Sequence, residues 1–78
     1  MPTRLRRFIE SGPNGKTSGR VAYVLKPELL GAAQGGMTWQ LDTTFNAAEA
    51  VLKQASLKQT YKTAIEQGIA IVTSSAVQ

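Results

Sequence analysis

One segment sets the terms for this chain. The stretch from Asn46 to Gly68 is the only one long enough and regular enough in composition to be read outright as a helix. Asn46 followed three residues later by Glu49 is a pair able to satisfy the first free backbone N–H groups of a helix, and Gly68 suits the left-handed residue that often closes one. The apolar positions do not stay on one face. At roughly 100° per residue, Ala48, Val51, Leu52 and Ala55 gather on one side, and Leu57, Tyr61, Ala64 and Ile65 gather roughly 100° further round. A straight helix buries only one such stripe. A break or kink is therefore expected near Ala55–Leu57, where Ser56 and Gln59 form a second capping pair.

The rest of the chain reads as strand and loop. Thr3 to Ser11 fits a two-turn helix, with Leu5, Phe8 and Ile9 at i, i+3 and i+4, or an edge strand; the strand is favoured because the next segment offers it a partner. As a strand it sets Arg4 and Arg6 on one face. Ser11 to Gly19 is dense in turn formers, and its Asn14-Gly15 is a hairpin signal. Arg20 to Lys26 encloses Val-Ala-Tyr-Val-Leu, a run suited to a central strand covered on both faces, and Pro27 ends it. Pro27 and Glu28 suit one helical turn, and Leu29 and Leu30 form either a lid on the core, the favoured reading, or an exposed contact. Met37 to Asp42 alternates strictly, so Met37, Trp39 and Leu41 are expected to pack inward. Ile69 to Val72 reads as a last strand beside the central one, followed by a polar tail from about residue 74.

The expected fold is α+β. A single small domain over residues 1–78 has the order β-β-β-α(α)-β, with the helix, kinked or split near Ser56, packed on one face of a mostly antiparallel sheet. A parallel pairing between the third and fourth strands is permitted by the helix that links them. A chain of 78 residues buries only about 60% of its unfolded surface. It has no cysteine and no histidine, so neither a disulfide nor the usual metal ligands add stability, and no metal or cofactor is expected. Self-association into a homodimer or larger homo-oligomer is the remaining route. With no apolar run near the roughly 20 residues needed to cross a bilayer, no membrane partner and a cytoplasmic location are expected.

Charge is the most informative global feature. Residues 1–26 carry Arg4, Arg6, Arg7, Lys16, Arg20 and Lys26 against Glu10, a balance of +5, while residues 27–78 carry −1. The basic end is the natural place for an acidic partner or a polyanion. Lys58 and Lys62, one helical turn apart, extend the same set.

Catalytic readings fare poorly. Gly15-Lys16-Thr17 matches the last positions of a nucleotide-binding loop, but the first glycine of that motif would fall on Glu10 and the segment leads into a strand. Pro2, exposed as the first residue once Met1 is removed, resembles the amino-terminal proline of the tautomerase family, whose secondary amine serves as a base. That family follows its first strand quickly with a helix, whereas a glycine-rich hairpin intervenes here, and tautomerase activity is kept only as a remote alternative. The favoured expectation is a non-enzymatic protein-binding module of the accessory or inhibitor type seen, by class-level analogy, in phages and mobile elements. It would dock through Arg4, Arg6, Arg7, Lys16, Arg20, Lys58 and Lys62 onto a protein partner with an acidic or nucleic-acid-binding surface. The alternative is sequence-tolerant nucleic-acid binding by the same residues.

Overall fold

A computed structural model describes residues 4–49 and 57–73. Four strands, β1 (Arg6–Ser11), β2 (Thr17–Val24), β3 (Thr38–Leu41) and β4 (Ile69–Thr73), form one sheet in the order β3-β1-β2-β4. A 3-10 turn at Pro27–Leu29 follows β2, and helix α1 (Lys58–Gln67) precedes β4 and packs on the sheet. The molecule is the small α+β domain expected, with its last strand beside β2. Every pair is antiparallel. The permitted parallel pair between the third and fourth strands does not form, because β3 and β4 lie at opposite edges of the sheet.

Residues 6–11 are strand because both of their edges are paired, by β2 on one side and β3 on the other. They form an interior strand, not the edge strand that their uneven alternation suggested. The Asn14-Gly15 hairpin closes with the Gly12 N–H donating to the Lys16 carbonyl at 2.6 Å, and Gly15 takes the positive φ of 72° that such a turn requires. The register slips between Ile9 and Ser11, opposite the part of β2 that holds Gly19 at φ 89°. This irregularity brings Ser18 and Arg20 to Glu10.

The two faces of the sheet are covered differently. Leu5, Val21, Tyr23 and Ala70 meet Leu57, Tyr61 and Ala64 in the core under α1. Tyr23 lies edge-on to Tyr61 at 5.1 Å and tilted to Phe45 at 5.7 Å between ring centroids, distances at which aromatic quadrupoles attract. Burial, with Tyr23 adjacent, pushes the Tyr61 hydroxyl up to about 12. Alternation turns Ala22 and Val24 to the opposite face, which carries no helix among the described residues, yet both are wholly buried. The connection between β2 and β3 reaches this face, where the Gln34 N–H donates to Glu10 Oε2 at 3.0 Å. The central strand is thus sheltered on both sides, as its unbroken apolar run predicted.

Three expectations about packing need correction. Met37, Trp39 and Leu41 do alternate against polar neighbours, but they do not enter the core. β3 is an edge strand, the register sets Trp39 opposite Glu10 and Leu41 opposite Phe8, and Leu41 is 48% exposed. A period of two shows that one side of a strand is apolar without showing which side of the sheet the helix covers. Ile65 is 59% exposed, on a flank of α1 beyond the stripe formed by Leu57, Tyr61 and Ala64. Leu29, expected as part of a lid, is also exposed.

The helix ends follow their signals. Asn46 Oδ1 accepts the Glu49 N–H at 3.1 Å, and residues 47–49 are helical. Val51, Leu52, Ala55 and Ser56 lie outside the described residues, and so does the predicted break apart from its last position: Leu57 stands at the N-cap of α1. The polar tail and Pro2 also lie outside. Gly68 closes α1 at φ 90°, donating its N–H to the Ala64 carbonyl at 2.7 Å. Its own carbonyl accepts the N–H groups of Leu25 at 2.8 Å and Lys26 at 3.0 Å, tying the helix end to the end of β2. A Cβ at Gly68 would meet the Leu29 Cδ1 at 2.8 Å and the Lys26 Cδ at 2.9 Å, flexible groups able to move aside. The backbone cannot, so Gly68→Ala is expected to cost about 1–3 kcal/mol in urea unfolding, mostly from the left-handed conformation.

Candidate docking surface

Two ion pairs decide which of the basic residues face outward. At the first, the β3 end of the sheet continues into Asp42, whose N–H donates to the Arg7 carbonyl at 2.8 Å. The Asp42 carboxylate then accepts Arg7 Nε at 2.8 Å and also Nη2. Its other oxygen accepts the Thr44 N–H at 3.0 Å and the Thr44 hydroxyl at 2.6 Å, so four donors converge on one side chain. The Arg7 guanidinium also lies over the Phe45 ring, 5.5 Å from its centroid. Burial opposes the charge on both partners. The Thr44 hydroxyl and Arg7 overcome it at Asp42 and hold its carboxyl below the usual range; Asp42 and Tyr23 overcome it at Arg7 and raise the guanidinium above its ordinary value.

The second pair lies on the face opposite α1. Glu10 is 1% exposed; its Oε1 accepts the Ser18 hydroxyl, and its Oε2 accepts the Gln34 N–H. Arg20 Nε stands 3.6 Å from Oε1, an ion-pair distance too long for a hydrogen bond, and the guanidinium lies over Trp39 at 5.4 Å from the ring centroid. The Ser18 hydroxyl and then the Gln34 N–H pull the Glu10 carboxyl below its ordinary value against the opposing effect of burial, with Arg20 adding to them.

The seven basic residues singled out from the sequence therefore divide. Arg7 and Arg20 are partly buried, each engaged with a carboxylate. Arg4, Arg6, Lys16, Lys58 and Lys62 are exposed. Arg4 and Arg6 come together with Leu5, Leu41, Asp42, Thr43 and Phe45 around a groove of about 260 Å³. Arg4 also borders a second groove of about 340 Å³ with Phe45, Asn46, Ala47 and Ala48. Lys16 is not brought to this site: it stands at the turn of the β1–β2 hairpin, the opposite end of β1 from Arg4. Lys58 and Lys62 belong to α1. Sequence reasoning missed Leu41 and Phe45 as groove residues. The available signal was the spacing that puts Asp42 directly after a strand, within reach of an arginine on its neighbour.

Among the described residues no helix is long and apolar enough to cross a membrane, and no group of acidic, histidine or cysteine side chains is arranged to hold a metal. The chain matches no family model, no curated protein and no solved structure.

The two carboxylates make stability sensitive to acid. Both titrate below their ordinary values of 3.8 for Asp42 and 4.5 for Glu10, so their contributions are complete above those values and fade as pH falls through the depressed folded ones. Urea midpoints are expected to be level from neutrality to about pH 5 and to fall steeply below about pH 4. Asp42→Asn is expected to cost about 1–3 kcal/mol at neutral pH and to flatten the acid limb; an unchanged limb would show that the Arg7 pair does not contribute.

Proposed function

We propose that this chain is a non-enzymatic protein-binding module, of accessory or inhibitor type, that docks its basic end onto an acidic surface of a larger protein. The observation that carries the reading is the groove in which Arg4 and Arg6 stand beside the half-exposed Leu41. Among the described residues, neither arginine has an ion-pair partner. Arginine next to exposed apolar surface is the composition of a protein interface centre: the guanidinium pairs with carboxylates while its stem and the neighbouring leucine exclude water. The excess of positive charge at this end would also speed encounter with an acidic partner.

A second reading, sequence-tolerant nucleic-acid binding, draws on Trp39. It lies outside the core, and an indole beside an arginine is suited to stack on a base. Against that reading, Arg7 and Arg20 are engaged with carboxylates, and the exposed cations lie at both ends of the hairpin and on α1 instead of along one track.

A tagged full-length chain passed over native lysate treated with nuclease, beside the Arg4→Glu/Arg6→Glu variant, separates the two. A protein retained after nuclease treatment, and held at least about tenfold more weakly by the variant with its fold intact, is the expected result. Equal retention by both forms would overturn the assignment of this surface, and loss of all binding on nuclease treatment would favour the second reading.

A further inference from the structure

The groove at Arg4 and Arg6 opens onto an edge of the sheet, and Leu41 belongs to both. β3 stands at one end of the strand order, and among the described residues no strand lies on its outer side. The Asp42 N–H donates to the Arg7 carbonyl, which makes Arg7 and Asp42 a hydrogen-bonded pair. Antiparallel ladders alternate bonded pairs with unbonded ones, so the next bonded pairs are Ile9 with Gln40 and Ser11 with Thr38. The N–H and C=O groups of Trp39 and Leu41 therefore point away from β1. What complements such groups is a further strand.

Charge and polarity along this edge define the occupant. Cross-strand partners share a face, so the register puts Trp39 and Leu41 on the same side of the sheet as Phe8 and Arg6. Past Leu41 the chain leaves the line of β3 in a turn, the Phe45 N–H donating to the Asp42 carbonyl at 3.3 Å, and the groove lies between this turn and residues 4–6. The acids nearby are already matched: Asp42 holds Arg7, and Glu10 is engaged by Ser18, Gln34 and Arg20. Among the described residues Arg4 and Arg6 have no ion-pair partner. The complementary chain is thus acidic at the Leu41 end of the edge and apolar alongside Leu41 and Trp39. Four residues make a ladder too short to hold a partner by backbone bonds alone, so the charges have to contribute.

We infer that the groove and the β3 edge together take an extended acidic segment of the partner protein, which adds a strand beside β3. Its carboxylates lie on Arg4 and Arg6, and its alternate apolar side chains lie on Leu41 and Trp39. This rests on the docking role proposed above for the groove, and it adds the conformation of what docks there.

The end-blocked peptide Glu-Thr-Glu-Thr-Val-Thr-Val carries carboxylates and then valines on one side of a strand, and Trp39, the chain's one tryptophan, reports its arrival. Titrated into the full chain, it is expected to shift the Trp39 emission saturably, and to bind Arg4→Glu/Arg6→Glu at least about tenfold more weakly. Leu41→Pro removes an N–H that β1 does not use, at an edge position where proline is tolerated; Leu41→Ala loses the side chain and keeps the N–H. The proline variant is expected to bind at least about threefold more weakly than the alanine variant. Should it fail to fold, peptides N-methylated at one or the other alternate set of amides decide the matter: one set is expected to abolish binding and the other to spare it. No saturable binding by the wild-type chain would overturn the inference, as would binding unchanged by the charge reversal, or binding equal in the folded proline and alanine variants and blind to which amides are methylated. If strand pairing fails in this way while the lysate partner is still lost on charge reversal, the groove stands as the docking site and only the added strand falls.

Discussion

The rest of the molecule depends on burying β2 from both sides. Its last four residues, Val21 to Val24, are all sequestered, and the alternation of the strand means that no single layer can do this. Tyr23 and Val21 need the helix; Ala22 and Val24 need something on the other face. Helix α1 meets the first requirement. A loop meets part of the second, and a loop can lie over a sheet only if its backbone groups are satisfied. Glu10 supplies an acceptor for it by taking the Gln34 N–H.

The same constraint sorts the charges. A carboxylate buried beneath a loop has to be matched by donors and a cation, and Ser18, Gln34 and Arg20 converge on Glu10. Asp42 holds Arg7 at the end of the sheet in a comparable way, where Phe45 adds a ring face. These pairs draw two arginines out of the positive field and leave Arg4 and Arg6 as the outward charges of the β1 end. The functional proposal thus grows from how the fold satisfies its buried acids. A count of basic residues alone would not have separated the four arginines.

Much of the architecture was legible because local signals and long-range packing agree. Asn14-Gly15 specifies its hairpin, Asn46 and Gly68 mark helix ends by hydrogen bonds they make themselves, and the apolar run at Val21 to Val24 announces a doubly covered strand. The site was less legible, for a physical reason. Arg7 and Arg6 are adjacent and chemically identical in the sequence; what distinguishes them is that one faces Asp42, thirty-five residues away, and the other does not. Trp39 misled in the same manner, since its alternation with Met37 and Leu41 is real but the sheet turns that side away from the helix. Interactions set by register between distant strands are invisible to periodicity.

Native-state hydrogen exchange followed residue by residue tests the sheltering of β2 most directly. The amides of residues 21–24 should exchange slowest, at rates approaching those set by global unfolding, while those of β3, at residues 38–41, exchange faster through local opening. If residues 21–24 exchange as fast as β3, the strand is not the doubly covered centre on which this account rests.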